Sequence, residues 1–372
     1  MNLTRRQKEA LTYAFIGIVI FTLFKKLLRP HAEICGLSAV KYLTGNARQP
    51  FSPGIPKHSD ASYSRVLVVS KTLREDTRWI SKELPDFQTA IYETNNLTTS
   101  KYTTPANKGH EAMVYLTYII DHYDELPEIM VFIHAHKQAW HNNFLLSNDT
   151  PTTLRRLRSD RIIRQGYMNL RCHHDPGCPM WLRLDIAAID VDTTVKLEQG
   201  VFTQSLWHEL FPTERIPPVL SQPAGAQFAV TAERVRDNPK SMYEHLRNWL
   251  LKTELPDFQS GRVFEYLWQY IFTRNAEFCP QQNYCYCDGY GICFGSHQKY
   301  QEFERKHGRM AKIQGGFARL NVSKSDIAPG GKFAEPHREM KALEKEVHAL
   351  FWQAWFRGDD ERFRRVERER SL

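Results

Sequence analysis

The chain has no aromatic-basic module of the kind that reads nucleic acid, although its net charge is +8 and its pI near 9.0. Its basic residues are scattered among 42 acidic ones, so the excess marks no stripe, and a nucleic-acid partner is set aside. A mild positive field still favours anionic small molecules such as nucleotide-sugars. No Cys-x2-Cys knuckle occurs, which counts against the familiar structural zinc sites. The repeated ELPDFQ, at Glu83–Gln88 and Glu254–Gln259, has no similarity around it and marks no internal repeat.

The N-terminal apolar run is short. Ala10 to Phe24 holds 15 uncharged residues, against the about 20 of a usual span. Leu27 and Leu28 extend it if Lys25 and Lys26 snorkel, and these lysines stand where a small-residue cleavage site would otherwise follow. The run reads as an uncleaved signal anchor over residues 10–28, behind a tail over 1–9. A Pro-, Gly- and Ser-rich stem follows over 29–62. Sequons at Asn96, Asn148 and Asn321 favour a lumenal body, hence a type II membrane protein of the endoplasmic reticulum or Golgi. Six of the 7 cysteines lie in two loop clusters, at Cys172 and Cys178 and from Cys279 to Cys293. Disulfides fit an exported domain, zinc is the competing reading, and the pairing is not legible.

The body, residues 63–295, opens with RVLVVSK as a strand, then a helix, then TAIYETN as a second strand. Asn107-Lys108-Gly109-His110-Glu111 opens an amphipathic helix running to about Tyr123, with Asn107 as its cap or else a substrate contact. Lys108, His110 and Glu111 cluster at that helix start, where a phosphate or carboxylate would dock unless it is only a solvated end. Next comes EIMVFIHAHKQAWHNN, an apolar strand ending in histidines. The alternation strand, helix, strand, helix, strand predicts an α/β fold with a mostly parallel sheet, flanking helices and ligands at the strands' carboxyl ends.

His134 and His136 should share one strand face, and His141 folds back as a third imidazole. Three such groups are ligands for a divalent metal, zinc, manganese or iron, or else hydrogen-bonded groups shaping a polar wall. Trp140 beside them is a sugar-stacking platform or packing. Asp190-Val-Asp192 is a weaker oxygen site, and His173 and His174 read as exposed loop histidines. In GAQFAV, Gln227 is either a satisfied core amide or a substrate contact. Glu265, between Phe264 and Tyr266, suits a general base with a raised pKa, or a salt bridge to Arg262. The segment 296–372 is a charged helical extension with a solvated or frayed end.

NKGHEAMVYLTYIIDHYDELPEIMVFIHAHKQAWHN, GAQFAV and SGRVFEYLWQYIF together resemble a fungal family of membrane-anchored proteins known as a domain of unknown function. That family is similar in pattern to nucleotide-diphospho-sugar glycosyltransferases, whose third strand ends in a metal- and diphosphate-binding Asp-x-Asp. His134-Ala135-His136 takes that place here. The resemblance implies the glycosyltransferase fold, a nucleotide-sugar donor near the histidines, Lys108 neutralising phosphate and Glu265 facing an acceptor hydroxyl. A His-ligated metal-dependent hydrolase or oxidase is one alternative. A non-catalytic scaffold or carbohydrate-binding protein is the other.

Overall fold

A computed structural model describes residues 52–58, 61–95, 101–179, 181–184 and 201–369. The expected tail, membrane anchor and most of the stem lie outside the described residues, as do the Asn96 sequon and Asp190-Val-Asp192. Among the described residues, no helix is long and apolar enough to cross a membrane.

β-branched runs build the first strands. Strand β1 is Arg65–Lys71, followed by helix α1 at Arg78–Glu83 and β2 at Gln88–Glu93. Helix α2, Glu111–Asp121, leads into β3, Ile129–His134. Helices α3 (Thr150–Arg156) and α4 (Ser159–Gln165) precede β4, Tyr167–Asn169. A short pair, β5 (Leu182–Arg183) and β6 (Val219–Leu220), brackets α5, Gln204–Leu210. Then come β7 (Phe228–Thr231), α6 (Ala232–Arg236), α7 (Lys240–Lys252) and α8 (Asp257–Thr273). The chain ends in α9 (Gln282–Tyr290), α10 (His297–Arg319), α11 (Ala334–Asp359) and α12 (Glu361–Glu369).

The main sheet has the order β2-β1-β3-β7-β4. Strands β2 and β3 flank β1 in parallel, each reached by a crossover through a helix. Strand β7 lies antiparallel to both β3 and β4, so the sheet is mixed and not mostly parallel. Side-chain alternation is the same in either direction, so the residues of GAQFAV do not reveal this reversal.

Strand alternation also divides the core. Val66, Val68, Met130 and Phe132 face one layer with α2, α7 and α8, where Tyr115, Leu246 and Trp268 are fully enclosed. Leu67, Val69, Val131 and Ile133 face the other, packed with Tyr286 and Tyr290 of α9, Tyr300 and Phe303 of α10, and Val347 and Ala354 of α11. Truncating an enclosed aromatic such as Trp268 to alanine would cost about 3–5 kcal/mol. The C-terminal segment thus packs onto the body. Its end is not frayed, because buried Glu367 accepts from Asn283 Nδ2 at 3.2 Å and the Gly295 N–H at 2.8 Å.

Helix α2 begins three residues later than its sequence suggests, capped at His110 and not at Asn107. Gly109 and His110 have φ of +71° and +51°, which breaks helical geometry before Glu111, and Asn107 lies exposed outside the helix. A side chain at Gly109 would also meet Leu250, at 2.5 Å from its Cδ1. Three disulfides close the loop clusters, Cys172–Cys285, Cys178–Cys279 and Cys287–Cys293. The first two span 113 and 101 residues, a separation at which loop-closure entropy is worth about 4.7 kcal/mol each.

Candidate active site

At the carboxyl end of β3 the backbone stops being a strand and the histidines part. The His134 N–H donates to Gln227 Oε1 at 3.1 Å, and its Nε2 donates to the Gly225 carbonyl at 2.7 Å. Nε2 therefore carries a proton. Ala135 turns into the opposite core layer, and its carbonyl accepts from Trp79 Nε1 at 2.9 Å. His136, past the strand end, is 54% exposed and faces Glu75 at 3.2 Å.

His141 returns to the cavity, with its ring centroid 4.6 Å from that of His134. Burial, reinforced by the neighbouring His134, His136 and Arg171, lowers its pKa to about 3, so the imidazole is neutral at ordinary pH. Its Nε2 has no hydrogen-bond partner in the protein. The loop carrying it is pinned by amides. Gln227 Nε2 donates to Asn142 Oδ1 at 2.7 Å, Asn142 Nδ2 to Thr150 Oγ1 at 2.9 Å, and Thr150 Oγ1 to the His136 carbonyl at 2.9 Å. Gln227 is thus the satisfied core amide, engaged at both ends and drawing β3, β7 and the histidine loop together.

Helix α8 supplies the facing wall. Glu265 Oε1 accepts from the Gly225 N–H at 2.9 Å, and its other oxygen pairs with Arg262. Gly225 consequently bridges His134 and Glu265 through its carbonyl and its N–H. Its φ of +119°, and the 2.9 Å that would separate a Cβ there from His141 Cβ, leave room only for glycine. Gly261, one turn before Glu265, lets α8 approach the start of α2, where a Cβ would stand 2.8 Å from His110 Cδ2. His110 and Asp257 meet there at 3.4 Å.

Glu111, the first residue of α2, completes the cluster. Burial pushes its carboxyl above the usual carboxylate range; nearby His134 opposes this and the Glu265 charge adds to it. Glu265 forms a salt bridge with Arg262. Two carboxyls in unlike settings across one cavity suit a division into proton donor and proton acceptor.

These side chains line a cavity of about 190 Å³, with Trp140 and Phe258 on its rim, 62% and 60% exposed. Lys108 is turned away and donates to the Thr253 carbonyl. Asn107 and Lys108 are not part of the lining, whereas Glu111, His134, Trp140, His141 and Glu265 are. Among the described residues, the one set of three His, Cys, Asp or Glu donor atoms lying within 4.8 Å of one another is Cys287, Cys293 and Glu367, and those cysteines form a disulfide. His134, His136 and His141 do not converge as a ligand triad, because His136 leaves with the turn and His134 Nε2 is engaged by Gly225.

A family model described as a protein of unknown function, DUF3431, matches residues 67–288. The chain belongs to that family. No curated protein and no solved structure matches it. The matched region contains every residue of the cavity.

Gly225, Phe258 and Arg171 escaped the sequence reading. Gly225 carried a signal, as a glycine leading an apolar strand, where close backbone approach is the usual reason. Arg171 had none beyond its place after β4. It is 3% exposed, donates from Nε to His173 Nε2 at 2.8 Å, and lies 5.2 Å from the Trp140 ring centre. Burial lowers its pKa to about 10 and that of His173 to about 3, so His173 is an internal acceptor and not an exposed loop residue.

Proposed function

We propose that this chain is a glycosyltransferase-like enzyme, with Glu265 accepting the proton of an acceptor hydroxyl and Glu111 serving as the cavity's proton-carrying carboxyl. The observation that carries the reading is Glu265 held by the Gly225 N–H and Arg262, in one cavity with Glu111 and His134. Such a group can deprotonate a hydroxyl as it attacks the anomeric carbon of the donor sugar, while the bond from that carbon to the phosphate oxygen breaks and the nucleoside diphosphate leaves with its electron pair. The cavity lies where β3 ends, which is where ligands bind in sheets of this kind. The resemblance to nucleotide-diphospho-sugar glycosyltransferases adds the donor class, and the rim aromatics suit a sugar face. No step needs a metal held by the histidines. The disulfides fit an oxidising, secretory compartment.

The test is turnover. The full-length protein, purified from a secretory host in a sugar-free detergent, is incubated with a panel of nucleotide-sugars and glycan acceptors, and released nucleotide is measured. Acceptor-dependent release is expected, with Glu265→Gln reducing it at least about 100-fold when both proteins are assayed well below the variant's melting temperature. Turnover equal in Glu265→Gln and wild type would sink the assignment. Absence of turnover across the panel would sink the transferase reading.

A further inference from the structure

The same cavity carries a narrower conclusion, which rests on the sugar-transfer reading. The cationic side chains of its lining already face carboxylates within the protein. Arg262, the guanidinium in its lining, pairs with Glu265, and His110 at the rim faces Asp257. Lys108 is engaged by the Thr253 carbonyl, and the Arg171 guanidinium lies behind Trp140, bonded to His173 and the Asp175 carbonyl. An anion entering here would instead meet the Glu265 carboxylate.

What the cavity does offer is hydroxyl-binding chemistry. His141 belongs to its lining, and the Nε2 of its neutral imidazole is buried there with no protein partner. A polar nitrogen left unpaired inside a protein is costly, and a ligand hydroxyl satisfies it as either donor or acceptor. The Glu111 carboxyl adds a second group able to pair with a hydroxyl. Trp140 gives a flat apolar face at the rim, and the cavity of about 190 Å³ has room for one hydroxylated ring.

We infer that this cavity seats the ring of an uncharged sugar, with His141 Nε2 meeting one of its hydroxyls and Trp140 lying against one face, while the phosphates of any donor stay outside it. Lys108 is then not a phosphate ligand.

Saturation-transfer NMR on the full-length protein in a sugar-free detergent tests this. The probes are methyl glycosides of glucose, galactose, mannose and N-acetylglucosamine, set against glucuronate and glucose 1-phosphate. At least one neutral glycoside should bind about tenfold or more tightly than its charged counterparts. Trp140→Ala, an exposed change that leaves the fold intact, and His141→Ala, checked by melting temperature, should each weaken it about tenfold. Charged sugars binding as well as neutral ones would overturn the inference, and so would binding that is unchanged in Trp140→Ala or absent for every sugar. Neutral-sugar binding without any nucleotide-sugar turnover would leave the inference standing and sink the transferase reading. Turnover that no neutral sugar inhibits, and that Trp140→Ala leaves intact, would do the reverse.

Discussion

His134 and Glu265 are tied to opposite ends of one residue: the imidazole donates to the Gly225 carbonyl at 2.7 Å, and the carboxylate accepts from the Gly225 N–H at 2.9 Å. A change in the backbone at Gly225 therefore moves both groups. Alanine there would have to hold φ near +119° and press on His141. Gly225→Ala should lower stability by about 2 kcal/mol or more, and impair any activity of the cavity beyond that loss. Urea unfolding checks the first part, and a change below about 0.5 kcal/mol would contradict it.

Gln227 gives a second prediction. Its amide joins the His134 N–H to Asn142, so Gln227→Met, similar in size, strands a buried donor and a buried acceptor. The expected cost is about 1–3 kcal/mol per unpaired group at most, and less where water enters. Were Gln227 a substrate contact, the same variant would retain wild-type stability and lose only ligand affinity. Denaturation in the absence of ligand separates the two.

Much of this arrangement was legible in the residues, and the gaps have physical causes. The alternating crossover pattern from Arg65 to His134 gave three parallel strands, and β3 does end at His134. Strand direction at β7 was hidden because Phe228 to Thr231 alternate identically either way. Asn107 looked like a cap because a cap is a local pattern, but Gly109 and His110 adopt positive φ and the Gly109 N–H is captured by Asp257, which lies far along the chain. His136 shared a strand face with His134 only so long as the strand continued. Grouping the imidazoles needed the turn at Ala135, which no two-residue spacing reveals.

Acid should find the buried imidazoles. The His141 pKa falls from 6.5 to about 3 on folding, chiefly through burial, so between those values the unfolded chain binds more protons than the folded one. Stability from this group is therefore full above 6.5, declines as pH falls below it, and is lost by about 3. The slope is about 1.4 kcal/mol per pH unit inside the window. Glu111, raised on folding, acts in the opposite sense, so the measurement is the difference between wild type and His141→Asn across pH 4–7, an interval of about three units. That difference should fall with decreasing pH, and a flat difference would show that His141 titrates normally.

Asp288 is the remaining charge of consequence, since it holds three elements together. It is buried on α9 and pairs with Arg161 and Arg164 of α4, at 3.3 and 2.5 Å, and with Arg368 of α12 at 3.4 Å. Burial alone would push its carboxyl up, but the surrounding guanidinium groups outweigh that and hold it below the usual range. Its contribution is accordingly present at neutral pH and lost as pH falls through the lowered value. Asp288→Asn keeps the shape and removes the charge, leaving Arg161 buried without its counter-ion. The expected cost is about 3–5 kcal/mol, the range for breaking a buried pair from one side. Because Arg368 loses its pairing with Asp288 in the same step, protease should cut near the C-terminus faster in this variant. Arg368→Ala alone, which leaves Arg161 and Arg164 paired, should reproduce the faster cleavage with a much smaller loss of stability. Equal losses in the two variants would mean that docking of α12, and not the buried charge, sets the cost.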